Sequence, residues 1–282
     1  MKGFMGKTHA LLSVMLMCIC MLVPIDFLKK TLWLLKDNIL FFIVGMVVLI
    51  GGALLPDLDN SQSSAGHSLG FMGSICTIFM QSIATIVFTL FHKRSDSQSP
   101  QFPHRYFWHT LISGIGIFLV FLFGLKGNDE TILALIKTKG ISMFIMENTA
   151  LLFFIIMLFI AVLCGSDMIT YRIIKFFKLP KLLNYILPTI AIIYIFTIDL
   201  NHLRILGLCI GLGYIFHIIE DSFADSGTPL FFPIPIHKQL WYRIKLTPIT
   251  IKTGSLANTI LDLIILVIDI VLIAFVFLGG NL

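Results

Sequence analysis

The chain reads as long apolar runs separated by short polar interruptions. A helix that crosses a bilayer needs about 20 mostly apolar residues. Seven runs approach that length, at about 10–28, 39–55, 106–124, 146–164, 184–199, 204–219 and 256–278. An eighth, 69–91, is long enough but carries Ser74, Thr77, Gln81, Thr85 and Thr89 every three or four residues. That spacing gathers the polar side chains on one helical face, which suits either a bundle interior or a helix lying along the membrane surface. The first run starts with Lys2 and Lys7, as a signal peptide would, yet Met21-Leu22-Val23-Pro24 offers no small-residue cleavage site. It reads as a retained helix. Nothing repeats at a fixed period and no low-complexity linker divides the chain. The expected architecture is all-α: one polytopic membrane-embedded domain over residues 1–282, with about seven spanning helices and one interfacial or buried helix that does not cross.

Composition removes the soluble alternative. Of 282 residues, 57% are hydrophobic and only 12% charged, and the mean hydropathy is +0.98. Soluble domains carry about 25% charge, so this chain cannot cover its surface with ions. Disordered, collagen-like and disulfide-scaffold classes fail on the same figures. The five cysteines all sit in apolar runs and form no CxxC pair, so they read as packing residues, not thiolate ligands.

The net charge of +5 matters through its placement. With the N-terminus cytoplasmic and 69–91 not crossing, about two-thirds of the 20 Lys and Arg residues fall on the cytoplasmic side. If 69–91 crossed, every later segment would invert and the basic 172–181 stretch would face outward, against the positive-inside rule. The expected arrangement is therefore a multi-pass membrane protein with a cytoplasmic N-terminus.

That topology places the ionisable residues together. His9 stands where the first run leaves the cytoplasm, Asp57 and Asp59 where the second returns to it, and His104 and His109 where the next begins. His217 and Asp221 close the sixth. Ionisable groups at membrane depth are costly and point to function. His217 and Asp221 are spaced i, i+4, so both lie on one helical face. Imidazole nitrogen and carboxylate oxygen suit a divalent ion such as zinc or manganese; a His–Asp hydrogen bond that fixes a helix end is the alternative. Asp57 and Asp59, after Pro56, have the spacing of a cation-wrapping loop and equally that of a capping turn. His104 and His109 would be about 140° apart on one helix, so both reach one site only if His104 precedes the first turn, which Pro103 favours. Arg105 suits an anionic oxygen or simple positive-inside anchoring, and Tyr106, Phe107 and Trp108 suit an interfacial aromatic belt. His67, in a Ser/Gly-rich loop, is a supplementary candidate, as is Asp225 near His217. His92, His202, His237, Glu147 and Glu220 read as structural or solvated. No GxxxxGK[ST], HExxH or GxSxG motif is present, nor a basic stripe for nucleic acid.

In order along the chain, Gly6-Lys7-Thr8-His9, Leu55-Pro56-Asp57-Leu58-Asp59, His104-Arg105…His109-Thr110, His217…Asp221…Gly227-Thr228-Pro229-Leu230…Pro233 and Thr253-Gly254-Ser255 form a set. The set resembles the YdjM-like inner-membrane proteins, regarded as membrane-bound metal-dependent hydrolases, from residue 6 to about 258. The resemblance implies a helical bundle related to all-α zinc-dependent phospholipases C and single-strand nucleases, with His9, Asp57, Asp59, His104, His109, His217 and Asp221 as metal ligands. The chain departs from the family pattern at Asn60, Tyr106-Phe107-Trp108, Ala224-Asp225 and Asn258.

The functional expectation is a hydrolase in which a divalent metal, zinc or manganese, activates water against a phosphoester or lipid-like ester. Asp57 or Asp59 could serve as general base and Arg105 could steady the anion. The expected partner is a membrane lipid or lipid-linked substrate, with no nucleic acid; oligomeric state is not legible. The rival expectation is a non-enzymatic transporter or metal-binding membrane protein.

Overall fold

The computed structural model describes residues 6–23, 31–60, 62–63, 65–66, 69, 71–91, 106–123, 132, 134–138, 149–178, 186–223, 227–246 and 255–278. Among them, eight helices of 12 residues or more follow in order. They are α1 (Gly6–Leu22), α2 (Ile39–Leu54), α3 (Phe71–Phe91), α4 (Leu111–Phe123), α5 (Thr149–Phe177), α6 (Ile186–Thr197), α7 (Leu200–Asp221) and α8 (Leu256–Leu278). Short 3-10 turns occupy Leu34–Asp37, Pro56–Asp59 and Phe107–His109. The described residues contain isolated β-bridges but no strand. The expected all-α membrane bundle is the observed one.

Helix α2 is the axis of the bundle. It begins where the Asn38 side chain accepts hydrogen bonds from the Leu40 and Phe41 amides (2.8 and 3.3 Å), a cap for two otherwise unpaired donors. From Phe41 to Leu54 every residue except Ile43 is buried, against α7, α5 and α1. Small residues permit that approach, as in other membrane helix interfaces. A Cβ on Gly51 would stand 1.8 Å from the Ala161 carbonyl oxygen of α5, and one on Gly213 of α7 would stand 2.2 Å from the Leu49 carbonyl oxygen. The three backbones are therefore in contact, and the polar ends of α2 and α7 are held in fixed register.

By length and composition, five helical segments can cross a membrane: Ile39–Asp59, Phe71–Phe91, Leu151–Thr170, Leu200–Asp221 and Leu256–Leu278. The runs expected at 10–28, 106–124 and 184–199 form shorter helices, Gly6–Leu22, Leu111–Phe121 and Ile186–Thr197. Two have visible reasons. Residues 106–110 are drawn into a turn that carries His109, so α4 starts only at Leu111. Asp199 caps α7 by accepting from the His202 amide at 2.9 Å, which ends the preceding helix.

Of the polar stripe expected on α3, only part faces inward. Thr77 Oγ1 donates to the Leu58 carbonyl and Gln81 Nε2 to the Asp59 carbonyl, each at 2.7 Å. Ser74, Thr85 and Thr89 are exposed, and Thr89 is satisfied by the Thr85 carbonyl of its own helix at 2.8 Å. The inward face runs through Gly73, Thr77, Ala84 and Phe88, a narrower seam than the stripe. On α8, Asn258, Asp262, Ile265, Asp269 and Val276 are the buried positions. Their spacings of three, four and seven form one face, and α1 is the helix that packs on α8. Thr8 Oγ1 donates to Asp262 Oδ1 (2.8 Å), Asn258 Nδ2 donates to Asp262 Oδ2 (3.3 Å), and Lys7 pairs with the same carboxylate. This polar latch sits directly beside His9 in α1.

Candidate metal centre

Four segments far apart in sequence deliver imidazoles and carboxylates to one buried place. The first is the end of α2. Leu55 and Pro56 stop the α-helix, and residues 56–59 tighten into a 3-10 turn in which the Asn60 amide returns to the Asp57 carbonyl (3.0 Å). Proline at the first turn position forfeits no needed donor. Thr77 and Gln81 hold the carbonyls of Leu58 and Asp59, as above, so both aspartates project from a fixed backbone. Asp59 is fully buried, whereas the Asp57 side chain keeps 15% of its surface exposed.

The second segment is the turn Phe107–His109. Its backbone is over-determined: the Trp108 carbonyl accepts from Ser113 Oγ (3.1 Å) and Tyr214 OH (2.9 Å), and Trp108 Nε1 donates to the Met80 carbonyl (2.7 Å). Thr110 Oγ1 closes the turn on the Phe107 carbonyl at 2.7 Å. His109 thus stands before α4, not on it, and its ring is fully buried. The aromatic triplet expected as a membrane belt is part of this scaffold, with Tyr106 and Trp108 bound inside the protein.

The third and fourth segments are α1, with His9, and the end of α7, with His217 and Asp221. All three side chains are fully buried. Asp221 is the hub. Its Oδ2 lies 2.9 Å from His109 Nδ1 and 3.5 Å from His217 Nε2, and its Oδ1 lies 3.5 Å from His9 Nε2. Asp59 Oδ2 approaches His109 Nε2 at 3.7 Å, and Asp57 Oδ1 approaches His217 Nε2 at 3.7 Å. The His9 and His217 rings are 4.0 Å apart between centroids, those of His109 and His217 5.1 Å.

Two overlapping triplets have the compactness of a metal site: His9, Asp57 and His217, and His109, His217 and Asp221, with candidate ligand atoms all within 4.8 Å of one another in each. His217 belongs to both. Its Nδ1 and Nε2 are buried and neither has a hydrogen-bond partner. Buried polar atoms are nearly always matched, so this ring has bonding capacity that the surrounding protein leaves unused. Nitrogen and carboxylate donors at this density fit a borderline divalent cation.

Six of the expected ligands, His9, Asp57, Asp59, His109, His217 and Asp221, are therefore brought together. His104 and Arg105 lie outside the described residues, as do His67, His92, Glu147 and Asp225. His202 is on the other end of α7, paired with Asp199 at 2.8 Å, and has no part in the cluster. His237 is exposed beside Tyr242. Glu220 was expected to be structural or solvated, and it is not solvated. It is buried, and its Oε2 accepts from His9 Nδ1 at 2.7 Å while Ser13 Oγ donates to Oε1 at 3.5 Å. The i, i+3 spacing from His217 to Glu220 was the signal available, since it puts both residues near one helical face. With Nδ1 held by a carboxylate, His9 turns Nε2 towards Asp221, the arrangement in which second carboxylates orient ligating imidazoles.

A protein-family model described as "YdjM inner membrane protein" matches residues 4–178. The chain belongs to the YdjM inner membrane protein family. The match spans most of the chain and places this YdjM-family protein in a membrane, in accord with its apolar helices. It covers His9, Asp57, Asp59 and His109; His217 and Asp221 stand beyond it, so the resemblance read to about residue 258 extends further than the family match. In this chain His217 and Asp221 enter the cluster through the packing of α7 on α2 and α1. No curated protein and no solved structure matches the chain.

Proposed function

We propose that the protein is a membrane-bound hydrolase dependent on a divalent metal ion, zinc or manganese, acting on a phosphoester or lipid-like ester. The observation that supports this most directly is His217, whose two buried nitrogens lack hydrogen-bond partners at the junction of two His/carboxylate triplets. His9, His109, His217, Asp57 and Asp221 are the residues that would hold the ion. When bound, such an ion lowers the pKa of its water towards about 7 and so supplies hydroxide at neutral pH. Asp57, the least buried acid of the cluster, would serve instead as the general base where it does not hold the ion. Asp59, sealed against His109, fixes that ring. Glu220 orients His9. Arg105, next to the His109 turn in sequence, would hold an anionic oxygen of the substrate. The chain has no nucleophile-elbow or P-loop motif, which favours direct attack by water. The Lys/Arg distribution supports a multi-pass protein with a cytoplasmic N-terminus and the cluster at the cytoplasmic face.

Elemental analysis of purified protein tests the site. Wild type and His202→Ala should retain metal, and His109→Ala and Asp221→Ala should lose it; equal content in all four removes the reading. A phosphodiesterase and lipase screen with added zinc or manganese then tests for turnover. A second reading, a metal-handling or transport protein, is favoured by Asp269, a buried carboxylate well inside the span of α8. Metal-dependent flux into proteoliposomes without hydrolysis would select it.

A further inference from the structure

Helix α3 has the length and hydropathy of a membrane span, and it is the least buried of the five segments that do. Its contacts are nonetheless those of a helix that stays at one end of the bundle. Near its start, Gly73 meets Gly66 so closely that a Cβ would collide with the Gly66 carbonyl oxygen. Midway, Thr77 and Gln81 hold the turn that carries Asp57 and Asp59, and the Met80 carbonyl accepts from Trp108 Nε1 in the His109 turn. Near its end, Phe88 packs on Tyr106 (5.1 Å between centroids) and Trp241 (5.3 Å), and Phe91 packs on Phe232 (5.6 Å). Phe232 belongs to the same end of the bundle, because the Leu230 carbonyl accepts from the Leu111 amide at the start of α4 (3.0 Å). A helix of 21 residues is about 31 Å long. Crossing would carry one end of α3 to the level of Asp199 and His202, yet its start, middle and end all touch elements beside the His/Asp cluster.

The outward surface shows what α3 lies in. From Phe71 to Phe91 the chain has no charged residue. Opposite the buried seam of Gly73, Thr77, Ala84 and Phe88, the side chains of Phe71, Ile75, Ile78, Phe79, Ile86 and Leu90 are exposed, Phe71 by 78% and Leu90 by 73%. Among the outward hydroxyls, Ser82 donates to the Ile78 carbonyl (2.7 Å) and Thr89 to the Thr85 carbonyl (2.8 Å), so neither requires water. A helix resting on a membrane from the aqueous side keeps a charged face. Here the polar side is taken up by the backbone of the two turns.

We propose that α3 does not cross the bilayer but lies along one leaflet, with its outward face against lipid acyl chains and its inward face covering the Asp57–Asp59 and His109 turns. Irregular backbone is tolerated at membrane depth where protein satisfies it, and Thr77 and Gln81 do so for the carbonyls of Leu58 and Asp59. Lipid, and not water, is then the medium beyond α3 on that side of the metal centre. The inference uses the contacts of α3 and the membrane location, and it stands whether or not the cluster hydrolyses anything.

Nitroxide labels on the full-length protein, in proteoliposomes of phosphatidylcholine and phosphatidylglycerol, test it by their collisions with oxygen and with a water-soluble nickel chelate. Ile75→Cys, Ser82→Cys and Thr89→Cys are exposed positions on one outward line of α3, with wild type as the blank for the five native cysteines. All three labels should favour oxygen over nickel and lie within about 5 Å of a common depth, as in a helix parallel to the membrane plane. Met72→Cys, Phe79→Cys and Ile86→Cys, a second exposed line, replace any variant that does not elute as wild type does. A crossing helix would separate the labels at 75 and 89 by about 21 Å, with the label at 82 nearest the bilayer centre; that result overturns the proposal. So does free nickel access at all three positions, which would put the face in water. Spin–spin broadening that disappears on mixing with unlabelled protein also overturns it, since a second copy then covers the face.

Discussion

Replacing Glu220 by glutamine keeps the shape of the side chain but removes the charge that accepts from His9 Nδ1 at 2.7 Å. Both groups are buried, so neither can turn to water to compensate. A hydrogen bond to a charged partner contributes about 1.5–3 kcal/mol. A tenfold change in affinity corresponds to about 1.4 kcal/mol, so if His9 is a ligand, Glu220→Gln weakens metal binding by about 10- to 100-fold. That range agrees with what loss of an outer carboxylate costs at metal sites generally. The assay is competition of zinc between the purified protein and a chromophoric chelator, with thermal unfolding of the metal-free protein recorded alongside. Glu220→Asp, which restores the charge on a shorter arm, should recover part of the affinity. An unchanged zinc affinity in Glu220→Gln, with an intact melting curve, would refute the orientation of His9 by Glu220. An equal fall in stability with and without metal would make Glu220 a packing residue and nothing more.

Two further outcomes follow from packing. Gly51→Ala places a Cβ 1.8 Å from the Ala161 carbonyl oxygen, so α2 and α5 must separate; the loss should exceed the usual overpacking cost of about 1–3 kcal/mol, read as a fall in yield of monodisperse protein, whereas Gly116→Ala, with open space around it, should behave as wild type. Asp269 is buried on α8 with Oδ1 lacking a hydrogen-bond partner. Asp269→Val should therefore raise thermal stability, by about 1–3 kcal/mol, and leave metal content unchanged; a destabilised variant would mean that the carboxylate is held by a partner in the membrane.

Much of this protein is legible in its sequence because the bilayer constrains the chain so tightly. Apolar runs near 20 residues and a charged fraction of 12% leave little besides a helical membrane bundle. The type and position of the candidate ligands were equally readable: His9, Asp57, Asp59, His109, His217 and Asp221 all occur where apolar runs begin or end, and polar groups at such depth are costly. Periodicity also fixed which residues of one helix share a face, as with His217 and Asp221.

Periodicity cannot say what a face meets. The stripe on α3 was visible, yet only its Thr77 and Gln81 turn inward, because the 56–59 turn is what they meet. Glu220 became the partner of His9, 211 positions away, through the crossing of α1 and α7, and Asp262 became the partner of Thr8, 254 positions away, through the packing of α1 and α8. Local sequence sets the azimuth of each side chain on its own helix. The partner across the gap is set by how closely backbones approach, and here contacts such as Gly51 on Ala161 decide that approach.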